Sequence, residues 1–105
     1  MSNPEIFNTI KSTVNSLLPD SMVLLFGSRA RGDFNMHSDF DVLVITKKTF
    51  PLGEKRNWRT RINDALVMAI HAPVDVLLNS EEEVNVKKEF PGHIVRWALK
   101  EGIIL

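Results

Sequence analysis

Three short apolar runs, Met22 to Phe26, Phe40 to Thr46 and Val74 to Leu78, constrain this chain more than any other feature. Each is too short for a helix and rich in Val, Leu, Ile and Phe. Turn residues bound them: Pro19-Asp20-Ser21 before the first, Gly27-Ser28 after it, Pro73 before the third. That is the pattern of buried strands.

Helical spacing fills the intervals. Asn3-Pro4-Glu5 supplies a capping side chain, a first-turn proline and an acid at the positive end of the helix dipole. Ile6, Ile10, Val14, Leu17 and Leu18 then repeat until Pro19 stops the helix. "SRARGD" can hold one or two turns before Gly32. Residues 54–70 form the clearest helix, with Trp58, Ile62, Ala65, Leu66, Ala69 and Ile70 on one face and Arg59, Thr60, Asn63 and Asp64 opposite. Ser80 and Glu83 have the spacing of a capping box. Ile94, Val95, Ala98 and Leu99 mark a last helix with Gly102 as its C-terminal cap, and Ile103 to Leu105 can add a terminal strand. The order αβαβαβα predicts a small sheet covered by helices.

A length of 105 residues suits one compact domain, expected over 1–105. With 44% hydrophobic and 25% charged residues the composition is that of a soluble globular protein. Thirteen basic and thirteen acidic residues cancel. That balance argues against a grip on nucleic acid through phosphate electrostatics, so nucleic acid is not expected as a partner. There is no cysteine, which excludes disulfides and thiolate metal sites. The first residues lack the regions of a signal peptide. No apolar run approaches the roughly 20 residues of a membrane helix. The expected compartment is the cytoplasm.

The chemistry concentrates at the strand starts. Asp39 and Asp41 in "SDFDVLV" point to the same side of a strand, with α-carbons about 6.5–7 Å apart. Carboxylates that close repel unless a cation sits between them, and oxygen-only ligands suit magnesium, which takes carboxylates together with substrate phosphates. Asp75 in "PVDVLL" is the candidate third ligand, because an acid amid apolar strand residues is costly without a partner. Taken alone, Asp39 reads as a turn residue and Asp75 as an edge charge; Asp41, inside an apolar run, is harder to explain structurally. Asp20, Asp33 and Asp64 read as turn or helix-face residues. Gly27-Ser28 opens a helical segment after a strand, where unpaired N–H groups favour phosphate, although Ser28 as a simple N-cap explains it as well. Arg31, and more weakly Arg29, can add charge-assisted contacts to a phosphate.

Gly27-Ser28, ten residues, then Asp39-Phe40-Asp41 resembles the GS-x10-D-x-D signature of the DNA polymerase β-like nucleotidyltransferases. With "GSRARG" and "SDFDVLV" the chain is most similar to the minimal nucleotidyltransferases that pair with helical HEPN proteins in toxin–antitoxin systems. The resemblance implies the polymerase β-like fold, an α/β (α+β) arrangement of a small mixed sheet with helices packed on it. It also implies two magnesium ions held by Asp39, Asp41 and Asp75, the last helping to deprotonate the acceptor hydroxyl. Gly27, Ser28 and Arg31 are then expected on the nucleotide phosphates.

The implied reaction moves a nucleoside monophosphate, AMP from ATP, to a hydroxyl of a partner protein. A HEPN-type protein or a second copy of the chain would dock that acceptor, because 105 residues leave no room for an acceptor domain. The rival is a binding module that neutralises or scaffolds its partner without turnover. His37 reads as an exposed loop residue, Trp58 and Trp97 as core or interface, and the cations of "EKRNWRTR", residues 54–61, as a solvated helix face.

Overall fold

The computed structural model describes residues 1–105. Its elements run α1 (Asn3–Leu17), β1 (Met22–Phe26), α2 (Ser28–Arg31), β2 (Phe40–Thr46), α3 (Leu52–Ile70), β3 (Val74–Ser80), α4 (Glu81–Lys87), α5 (Ile94–Glu101) and β4 (Ile103–Ile104). The four strands form one mixed sheet in the order β3-β2-β1-β4. β1 runs antiparallel to β2 and β4, while β2 and β3 are parallel. This is the expected α+β architecture.

Both faces of the sheet are covered. On one, Val23, Leu25, Val42, Val44, Val76 and Leu78 pack with Ile10 and Val14 of α1 and Ile62, Leu66 and Ile70 of α3. On the other, Leu24, Phe26, Leu43 and Ile45 pack with Val84 of α4 and Val95 and Ala98 of α5. The alternation follows from the two-residue period of a strand. Asp41 therefore shares the α4/α5 face with Leu43 and Ile45, and begins the row that they continue into the core.

Several boundaries differ from the sequence expectation. Ser2, not Asn3, caps α1: its hydroxyl accepts from the Glu5 N–H at 3.4 Å and the Glu5 carboxylate accepts from the Ser2 N–H at 3.3 Å. The helix α3 begins at Leu52 with Pro51 at its N-cap and ends on His71 in the left-handed region, φ 54°. Strand β3 runs two residues past Leu78, because Asn79 and Ser80 still pair with Ile45 and Thr46. The Ser80–Glu83 capping box forms as expected.

Gly102 does end α5, but in an extended conformation, φ −71°. Its lack of a side chain matters for space instead. A Cβ there would run into the Ala98 carbonyl oxygen and sit 3.3 Å from Leu24 Cδ2, so the chain could not turn down into β4 beside β1.

Candidate active site

The site is assembled at one end of the sheet, where β1 ends and β2 and β3 begin. Phe26 lies opposite Asp41 in the β1–β2 ladder, and Asp41 is level with Asp75 in the β2–β3 ladder. Adjacent strands are about 4.8 Å apart, so the two acids emerge side by side on the α4/α5 face. Asp39, two residues before Asp41, is exposed just ahead of β2. Asp41 is half-buried and Asp75 is exposed. The structure thus brings all three predicted acids to one sheet end.

No group of three or more His, Cys, Asp or Glu side chains is drawn into a ready metal cluster. The electrostatics nevertheless register their proximity. The Asp41 carboxyl is pushed above the ordinary carboxylate range, by burial first and then by the negative charges of Asp75 and Asp39. Burial and like charge both disfavour the ionised form. A divalent cation is the group that would relieve this, and oxygen-only donors suit magnesium. The donor chemistry fits.

The glycine-serine turn stands against the same carboxylate. Gly27 has φ +74°, a conformation open to glycine. A Cβ there would overlap Asp41 Oδ2 and lie 3.1 Å from its Cγ. Gly27, not Ser28, takes the N-cap position of α2, and no side chain caps that helix. The Ser28 hydroxyl is therefore not consumed as a cap, which removes the simpler reading of that serine. Gly32, φ 89°, closes α2 in the left-handed region.

The two arginines of α2 have separate duties. Arg29 donates to the Ser38 carbonyl at 3.2 and 3.1 Å and lies 4.3 Å from the ring centroids of both Phe34 and Phe40. It fastens the loop that delivers Asp39. Asn35 and Ser38 close the same loop, the Asn35 N–H donating to Ser38 Oγ at 3.0 Å. Arg31 pairs with Asp33 and Glu101, each at 3.2 Å.

Glu101 was not singled out from the sequence. Its Oε1 accepts from the Gly27 N–H at 3.2 Å and from Arg31 Nη1. A carboxylate thus holds both a backbone donor and a cation at the end of the site assigned to phosphate. The signal lay in "EGIIL", but only the pairing of β4 with β1 carries Glu101 back to Gly27.

A small mixed sheet with a glycine turn at the end of one strand and three aspartates at the starts of the next two defines a nucleotidyltransferase arrangement. The chain belongs to the nucleotidyltransferase domain family, whose model matches residues 7–105. Two Methanocaldococcus jannaschii proteins are similar in sequence. "Putative protein adenylyltransferase MJ0141" is 43% identical over 54 residues, 50% of this chain and 54% of that one, so the match spans about half of that relative. "Putative protein adenylyltransferase MJ0604" is 29% identical over 101 residues, 96% of this chain and 91% of that one.

Among solved structures, a toxin–antitoxin with AMP-PNP aligns with a TM-score of 0.66 at 20% identity, over 92% of this chain and 69% of that chain. The Shewanella oneidensis complex of a tri-AMPylated HEPN toxin with its MNT antitoxin aligns at 0.62 and 17% identity, over 98% and 71%. At these identities the likeness establishes the fold. The resemblance read from the sequence holds for family and fold. No helix is long and apolar enough to cross a membrane.

Proposed function

We propose that this chain is a protein adenylyltransferase that moves AMP from ATP to a hydroxyl of a partner protein of the HEPN type, as the antitoxin of such a pair. The observation that carries the reading is the level pairing of Asp41 with Asp75 beside the Gly27-Ser28 turn, in a chain matched by the nucleotidyltransferase model. Relatives named as adenylyltransferases and a neighbour described with an AMPylated HEPN toxin support the choice of nucleotide and partner.

Asp39, Asp41 and Asp75 would hold two magnesium ions. When bound, the metal supplies positive charge that activates a hydroxyl and stabilises departing pyrophosphate. The protein's own parts are positioning and electrostatics. Gly27 offers its N–H to a phosphate once Glu101 releases it, while the room left by its missing Cβ is taken by the Asp41 carboxylate. Ser28 adds a hydroxyl donor and Arg31 a guanidinium once it exchanges Glu101 and Asp33 for phosphate. Asp75, exposed at the edge of the sheet, faces the side from which an acceptor hydroxyl can arrive and accepts its proton.

The test is incubation of the chain and the product of its neighbouring gene with magnesium and α-labelled ATP. Label should appear on the neighbour and disappear with Asp39→Asn plus Asp41→Asn. Neutralisation of the neighbour that persists in that variant, with no label in the wild type, would establish the binding-module reading instead.

A further inference from the structure

The three acids of the site are not held alike. Asp41 and Asp75 stand in paired strands, level with one another, so the sheet fixes where each side chain leaves the backbone. Asp39 precedes β2 and is exposed, and its carboxylate takes no hydrogen bond or ion pair within the chain. A carboxylate on an untethered loop must be ordered by the ion it binds, and the lost freedom weakens that binding.

Arg29 supplies a tether. Its Nε and Nη2 both donate to the Ser38 carbonyl, at 3.2 and 3.1 Å, which fixes the plane of the peptide that joins Ser38 to Asp39. The same guanidinium lies 4.3 Å from the ring centroids of Phe34 and Phe40. Phe40 is firm ground: it is buried, and its N–H donates to the Pro73 carbonyl at 3.0 Å. Arg29 therefore grips Asp39 from both sides, through the carbonyl before it and the ring after it. The loop's other contacts do not reach that peptide from outside. The Asn35 N–H bonds to Ser38 Oγ and the His37 N–H to Asn35 Oδ1, which closes the turn on itself. Asp33 meets Arg31 at the start of the loop, where both side chains are open to solvent.

We propose that Arg29 is the positioning residue of the metal site. It holds Asp39 beside Asp41 before any ion arrives, so magnesium affinity depends on a guanidinium that touches neither metal nor nucleotide. The inference rests on the reading of Asp39 as a magnesium ligand. It also dictates which side chain can serve. A planar fork gives two donors to one oxygen while its face lies against a ring; a lysine ammonium keeps the charge but has no plane. Loss of a group that orients a metal ligand costs about 10–100-fold in affinity.

The test is calorimetry of the whole chain with magnesium chloride alone, at constant ionic strength. Arg29→Lys should raise the magnesium Kd at least about tenfold. Phe34→Leu, which removes the exposed ring and leaves Phe40, should raise it about threefold. Asp33→Asn, which cuts the other tie of the loop, should stay within about twofold of the wild type. A role confined to stability would lower the Tm of Arg29→Lys and leave its Kd alone, which overturns the proposal. So does an equal rise in Asp33→Asn, since any loosening of the loop would then suffice. In the labelled-ATP assay, AMP transfer lost in Arg29→Lys should return at saturating magnesium; a loss that saturation does not repair overturns the proposal as well. A wild-type chain that binds no magnesium overturns it together with the metal reading. Magnesium binding that responds to Arg29→Lys, in a chain that transfers no AMP, would sink the adenylyltransferase reading and leave the tether standing.

Discussion

Gly27 and Asp41 are packed so closely that a single added carbon on the glycine would occupy the space of the aspartate's Oδ2. The turn proposed for phosphate and the acid proposed for metal are thus in contact, across the ladder that pairs Phe26 with Asp41. Gly27→Ala meets two penalties at once, the overlap and a φ of +74° that an L side chain tolerates poorly. The expected cost is about 1–3 kcal/mol of stability. Urea unfolding measures it, and a midpoint within error of the wild type would show that the turn yields freely.

The burial of Asp41 beside two other acids has a pH consequence. Because the folded chain raises the Asp41 pKa through burial and then through Asp75 and Asp39, it binds that proton more tightly than the unfolded chain does. The group's favourable contribution is fully present below the unfolded carboxylate value of about 3.9 and is lost as pH rises through the elevated folded value. Charged Asp41 therefore destabilises the metal-free protein at neutral pH. Asp41→Asn should raise Tm at about pH 7 and leave it unchanged at about pH 3. A lower Tm at neutral pH would contradict the cause assigned to the shift.

The legible part of this molecule is the part set by local pattern. The strand β1, the span of β2 and the Ser80–Glu83 box follow from apolar runs and cap chemistry, which act over a few residues. What escaped depends on distant chain segments meeting. Strand β3 gains Asn79 and Ser80 only because β2 offers partners. Gly102 ends α5 as the pattern predicts, but the reason it must be glycine, clearance from Leu24 and Ala98, is invisible in the sequence. Arg29 was read as a weak candidate for phosphate, but two phenyl rings and the Ser38 carbonyl hold it to the loop. The arginines of residues 54–61 are exposed, as a solvated face requires, but Lys55, Arg56 and Arg59 also line a cleft. Periodicity separates the two sides of a helix; it carries no information on which neighbour leaves room beside them.

Magnesium should stabilise the folded chain without any nucleotide, because three acids crowd one sheet end and the unfolded chain does not gather them. At a hundred times its Kd the expected gain is about 2.7 kcal/mol, read as a rise in Tm with added magnesium chloride. Asp39→Asn plus Asp75→Asn should abolish the rise. A rise of equal size in that double variant would place the ion elsewhere.

Ser80, at the opposite end of β3 from Asp75, carries part of the stability of the α4 face. It is 1% exposed, its hydroxyl caps α4 by accepting from the Glu83 N–H at 3.1 Å, and it contacts the Thr49 hydroxyl at 2.7 Å. Ser80→Ala removes the cap and leaves Thr49 unpartnered, for an expected loss of about 1–2 kcal/mol. Urea midpoints should show the loss, and Ser80→Thr should recover part of it.

Glu101 sets the last expectation. Its carboxylate accepts from the Gly27 N–H and from Arg31, the donors assigned to a nucleotide's phosphates, so a triphosphate must displace it. Charge-assisted hydrogen bonds to a carboxylate are about twice as strong as neutral ones. Glu101→Gln keeps the size and the acceptor but removes the competing charge. Calorimetry with a non-hydrolysable ATP analogue should therefore show a Kd about three- to tenfold lower than for the wild type. Asp33→Asn, which removes the more exposed partner of Arg31, should move the Kd less. A Kd that rises in Glu101→Gln would mean that the carboxylate holds Arg31 in place for the nucleotide instead of competing with it.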